Sequence, residues 1–84
     1  MTRTEILNRL KIIAEPYTKD ESALESISED TDFIKDLKIN SANLVDLVLD
    51  VEEAFRIEID NESMEKMLTV KDAIDIVMAK APAE

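Results

Sequence analysis

Five apolar residues, Leu44, Leu47, Val48, Val51 and Phe55, recur at helical spacing and fall in one arc of a helical wheel. That arc is a stripe that must be buried against other helices, and it commits the middle of the chain to a helix of about four turns. Asp46, Asp50 and Glu53 lie roughly opposite. Ala42, Val45 and Leu49 fall outside the stripe and share a second face beside Asp46 and Glu53. An apolar ridge bordered by carboxylates, on a helix that already has a core face, points to a surface covered by a basic partner.

The rest of the chain offers more helices of the same kind. Residues 2–15 carry Ile6, Leu7, Leu10, Ile13 and Ala14 on one face, with Thr2 and Glu5 at capping-box spacing and Pro16 to end the run. Residues 17–39 are rich in Ser, Thr, Asp and Glu with isolated apolar anchors, among them Leu24, Ile27 and Phe33. They predict a packed crossover connection, with room for a helical turn near 20–24 or 32–37. The second helix starts at Ser41, whose hydroxyl is placed to accept from a free N–H of the first turn. Ile57-Glu58-Ile59 alternates like a strand without a partner and reads as an extended connector. A short helix at 62–67 turns Met64, Met67 and Leu68 inward, and the two methionines make a deformable patch. The last helix begins near Thr69, capped with Asp72 three residues on. Its apolar face is Val70, Ala73, Ile74, Val77, Met78 and Ala81, with Lys80 favoured near its C-terminal end. The pattern predicts one all-α domain over residues 1–84, a small antiparallel bundle of three to four helices with a long first connection.

Composition narrows the function. Eighty-four residues supply a core of about a dozen and a half side chains, too few for a catalytic cleft with a substrate pocket. Twenty acidic against ten basic residues give a net charge of −10, which repels nucleic acid and anionic membranes and attracts basic proteins. With no Cys and no His, side-chain thiol or imidazole chemistry and disulfides are excluded, as are the usual zinc sites. No apolar run approaches the roughly 20 residues of a membrane span, and the first residues lead into an amphipathic pattern and not a signal peptide; a cytoplasmic protein is expected. Glycine is absent, so a glycine-rich phosphate loop is impossible, and turns with positive φ are expected at Asn40 and Asn61. Pro82 lies in a short tail of small residues. Asp30 with Asp32, and Asp60 with Glu62, begin calcium-loop spacings without the glycine or the full ligand set, leaving weak divalent binding that relieves self-repulsion. Paired carboxylates for hydrolysis would need a cleft to raise one pKa.

The stretch 33–55, with Asn40-Ser41-Ala42 at its centre and Asp46, Glu52 and Glu53 downstream, closely resembles the centre of acyl carrier proteins. The likeness continues through Ile57-Glu58-Ile59, Glu65-Lys66, Thr69-Val70 and Ala73-Ile74-Asp75. The resemblance implies that Ser41 receives a covalent 4′-phosphopantetheine arm whose thiol carries an acyl chain as a thioester, on a protein that is not itself an enzyme. It implies a docking surface of Val45, Asp46, Leu49, Glu52 and Glu53, flanked by Asn40 and Ala42. The partners implied are a phosphopantetheinyl transferase, then acyltransferases, ketosynthases or acyl ligases with basic patches, acting on a monomer. The family's usual Asp-Ser-Leu is here Asn40-Ser41-Ala42, and a common Gly two before the Asp is here Lys38. These departures imply a specialised fatty-acid, lipid or secondary-metabolite pathway. Two other functions fit the same residues: an acidic interaction module without a prosthetic group, and a peptidyl or aminoacyl carrier.

Overall fold

The computed structural model describes residues 2–80. Five helices follow in order among them: α1 (Arg3–Ala14), α2 (Glu21–Glu25), α3 (Ser41–Phe55), α4 (Asn61–Lys66) and α5 (Val70–Lys80). The three long helices match the apolar periodicities, and α2 realises one of the two turns for which the first connection has room. Ala81 and Pro82 lie outside the described residues.

Local chemistry explains most helix ends. Thr2 accepts the Glu5 N–H at 3.2 Å and starts α1. Pro16 ends α1 without turning Glu15 out of helical geometry, contrary to expectation: Glu15 keeps φ −51° and ψ −47°, its N–H reaches the Lys11 carbonyl, and the N–H groups of Tyr17 and Thr18 then close onto Ala14. Asp20 caps α2 by accepting from Ala23 at 3.0 Å, and Asp60 caps α4 by accepting from Ser63 at 3.3 Å. Thr69 and Asp72 form a reciprocal capping box at α5: each backbone N–H donates to the other's side chain, at 3.1 and 3.2 Å.

Polar contacts fix the helix directions. Arg3, at the start of α1, donates to Asp75 at 2.8 Å and to the Met78 sulfur at 3.5 Å, both in the later part of α5. Arg9 stands 5.7 Å from the ring centroid of Phe55, the last residue of α3. Tyr17, beyond the end of α1, donates to Asp50 further back along α3, at 2.5 Å. Advancing along α1 therefore means retreating along α3, and these two helices pack antiparallel, with the start of α1 set beside the middle and later part of α5.

The core takes Ile6 and Leu10 from α1, Leu47, Val48 and Val51 from α3, and Val70, Ile74 and Val77 from α5. Phe33, Leu37 and Ile39 plug into it from the long connection and are fully buried. Backbone bonds hold that connection against the start of α5: Phe33 N–H to the Leu68 carbonyl (3.0 Å), Val70 N–H to Thr31 (2.9 Å) and Lys71 N–H to Glu29 (2.9 Å). Arg3 adds a fork onto Glu29, with bonds of 2.5 and 3.2 Å. Hydrogen bonding to Arg3 holds the Glu29 carboxyl below its usual range, with the Arg3 charge adding to the effect.

Three expectations are corrected. Positive φ falls on Lys38 and Arg56, both at 55°, and not on Asn40 or Asn61. Arg56 is the left-handed residue that closes α3: its N–H and that of Ile57 converge on the Glu52 carbonyl. Asn40 and Asn61 instead border helices, where extended or helical backbone is required. Leu68 is 51% exposed and not inward: its N–H closes a tight turn onto the Lys66 carbonyl, its own carbonyl accepts from Phe33, and Met67 takes the buried place. Met78 is 49% exposed at the edge of the α5 stripe, beside Arg3.

Candidate functional site

The approach to α3 is a tightly bonded turn. Asp32 Oδ1 accepts the N–H groups of Ile34 and Lys35, each at 2.8 Å, and Asp36 Oδ2 accepts the Asp32 N–H at 2.7 Å. Ile39 donates to the Phe33 carbonyl at 3.0 Å. From outside the turn, the Thr18 hydroxyl (2.8 Å) and the Lys19 N–H (3.1 Å) both donate to the Leu37 carbonyl. Lys38 then takes the left-handed conformation, which costs a residue with a Cβ about 1 kcal/mol or more.

Asn40 caps α3. Its backbone is extended (φ −62°, ψ 141°), and its Oδ1 accepts the Ala42 N–H at 2.9 Å. This moves the cap one residue back from Ser41. Ser41 is the first residue of the helix proper. It is exposed, and its hydroxyl makes no hydrogen bond among the described residues. Ser and Asn are nearly equivalent caps, and here they are adjacent, so composition could not separate them. The first turn of α3 carries N–H groups that no helix carbonyl can take, at the positive end of a 15-residue helix dipole. A phosphate ester on the Ser41 oxygen fits that setting, since the oxygen is accessible, uncommitted and next to donors that favour an anion.

Along α3, Ala42, Val45, Asp46, Leu49 and Glu53 are all exposed, with Val45 at 47% and Leu49 at 56%. Glu52 is set apart from them. It is half-buried, and its carboxylate accepts the Ile59 N–H at 2.6 Å. Asp50 is half-buried as well and holds the Tyr17 hydroxyl. That bond and partial burial push Tyr17 up to about 12. The face thus offers two exposed carboxylates, Asp46 and Glu53, around the Val45–Leu49 ridge. Met67 is fully buried and Met64 half-buried against the core.

On the other side of Ser41 in the chain, a solvent-open groove of about 320 Å³ is lined by Asp20, Ala23, Thr31, Lys35, Asp36 and Lys38, among others. Lys35 carries no signal in the sequence pattern. Lys38 does, since a position where glycine is common is a position where positive φ is wanted.

Fold and site together define a small helical bundle that presents one uncommitted serine at a helix start, beside an acidic, apolar-ridged face. A family profile described as "Phosphopantetheine attachment site" matches residues 18–77. The chain is 39% identical over 79 residues to an acyl carrier protein of Rubrobacter xylanophilus, covering 93% of this chain and 94% of that one. It is 38% identical over 78 residues to one of Coprothermobacter proteolyticus (92% of each chain). It is 37% identical over 78 residues to one of Lactobacillus acidophilus (92% of this chain, 94% of that one). The chain belongs to the acyl carrier protein family, whose domain takes covalently attached 4′-phosphopantetheine. Among the described residues no helix is long and apolar enough to cross a membrane.

Proposed function

We propose that Ser41 is the attachment residue and that the chain works as a single-domain, non-catalytic, cytoplasmic carrier of acyl groups. The observation that supports this best is the free hydroxyl of Ser41 at the first position of α3, with the capping role already filled by Asn40. Bound there, the arm supplies the thiol this cysteine-free chain lacks, and an acyl group rides on it as a thioester. The chain's own residues do the rest. First-turn N–H groups of α3 and its dipole stabilise the ester's negative charge. Val45 and Leu49 give a partner apolar contact, and Asp46 and Glu53 attract its basic residues, with Asn40 and Ala42 flanking the serine. Glu52 contributes long-range charge, its carboxylate being engaged by Ile59. The partners in this proposal are a phosphopantetheinyl transferase, then acyltransferases, ketosynthases or acyl ligases with basic patches, meeting a monomer. Asn40 and Ala42 favour a specialised fatty-acid, lipid or secondary-metabolite pathway.

Co-expression with a broad-specificity transferase is expected to raise the intact mass by one phosphopantetheine, and Ser41→Ala to abolish the gain. An unchanged mass across several transferases would refute the assignment and leave an acidic interaction module. Identification of the acid released from native protein separates acyl from aminoacyl cargo.

A further inference from the structure

Lys38 sits three residues ahead of Ser41 in a left-handed conformation that glycine would hold with less strain, and its side chain is exposed. Among the described residues neither Lys38 nor Lys35 makes an ion pair, although acidic residues outnumber basic ones two to one in the chain. Both lysines line the groove between α2 and the turn before α3. The carboxylates at the same end are turned onto the backbone: Asp20 accepts from Ala23, Asp32 from Ile34 and Lys35, and Asp36 from Asp32. Asn40 caps α3 without charge, at a position where Asp would cap equally well. The neutral side chain therefore alters local charge and leaves the helix start intact.

In the chain Ser41 thus stands between two unlike surfaces. One is the carboxylate-flanked ridge of α3, and the other carries the exposed, unpaired ammonium groups of Lys35 and Lys38 beside Asp20 and Asp36, whose carboxylates are held by backbone N–H groups. We propose that Lys38, with Lys35, is a specificity-determining element that meets carboxylates on the phosphopantetheinyl transferase. An enzyme that closes over Ser41 touches both surfaces, so its complement carries cations against α3 and an acidic patch against the groove. Contacts of opposite sign on either side of the reacting hydroxyl fix the orientation of docking, and a transferase that is basic throughout is disfavoured at the lysines. This inference rests on Ser41 being the modified residue.

The test is conversion of apo to holo protein by the transferase of the chain's own organism, with coenzyme A as donor, followed by intact mass. Lys38→Glu and the double variant Lys35→Glu/Lys38→Glu are expected to lower kcat/KM at least tenfold through KM, with kcat within twofold of wild type. Lys38→Gly is expected to lower kcat/KM about threefold while raising the melting temperature, so that its loss is not one of folding. Wild type modified at a rate that Lys38→Glu leaves within twofold overturns this inference alone, as does a loss carried by kcat. Wild type that never gains the mass overturns the Ser41 assignment and this inference with it.

Discussion

Exchanging the two residues at the start of α3 for alanine, one at a time, separates structural from chemical work. In the apo protein Asn40→Ala removes the acceptor of the Ala42 N–H. Loss of a cap of this kind costs about 1 kcal/mol, within a range of about 0.5 to 2. Unfolding entropy of about 2.1 cal/mol/K per residue, over 84 residues, gives about 0.18 kcal/mol/K. Asn40→Ala should therefore lower Tm by about 6 °C. Ser41→Ala removes an exposed hydroxyl without a hydrogen bond and introduces a better helix former, so its Tm should lie within about 3 °C of wild type. Asn40→Asp keeps the cap and adds a charge favoured by the dipole, so it should be at least as stable as wild type. Thermal unfolding followed by circular dichroism at 222 nm, roughly the wavelength that reports helix, resolves these shifts. If Ser41→Ala loses as much as Asn40→Ala, the serine is structurally committed and the reasoning is wrong.

Other outcomes follow from the same structure. Leu47 is fully buried, so Leu47→Ala should cost about 2–5 kcal/mol, read as a lower urea midpoint at unchanged slope. Arg56→Gly relieves a left-handed residue at a helix end and should stabilise by about 0.5–1 kcal/mol; a loss would mean that the Arg56 side chain matters more than its backbone. The Glu29 carboxyl is depressed in the folded state, so its contribution is present above its ordinary value of 4.5 and lost as pH falls through the folded value. The stability gap between wild type and Arg3→Gln should accordingly shrink on acidification, and a gap flat from pH about 7 to about 3 would contradict it. Tyr17 is shifted the other way, from 10.0 to about 12, so its contribution is present below pH 10.0 and lost as pH rises through about 12. Tyr17→Phe should lack that alkaline step in urea titrations.

How much of this the amino-acid order disclosed depends on how local each cause is. Apolar spacing placed α1, α3 and α5, and the Thr69–Asp72 box was visible because its partners are three residues apart. The start of α3 at Ser41 was legible, but its cap falls on Asn40 and not on Ser41, because two good caps adjoin. The left-handed sites were missed because backbone closure at Arg56 and the turn at Lys38 demanded them whatever the side chain. Apolar character alone points Leu68 inward, whereas in the fold its carbonyl accepts from Phe33, 35 positions earlier, and its side chain is 51% exposed. The Arg3 fork and the Tyr17–Asp50 bond join residues far apart in the chain, so no window could hold both partners. Within the site, the Val45, Asp46, Leu49 and Glu53 face was readable from helical phase, but the engagement of Glu52 by Ile59 was not.

The stitches from Glu29, Thr31 and Phe33 to Leu68, Val70 and Lys71 tie the segment that leads into Ser41 to the start of the far helix. Thr18 and Lys19 tie the same segment, through Leu37, to the end of α1. A serine on the surface thus inherits its setting from two helices that it does not belong to. Wear at either anchor would reach the serine's surroundings before it reached the stripe of α3.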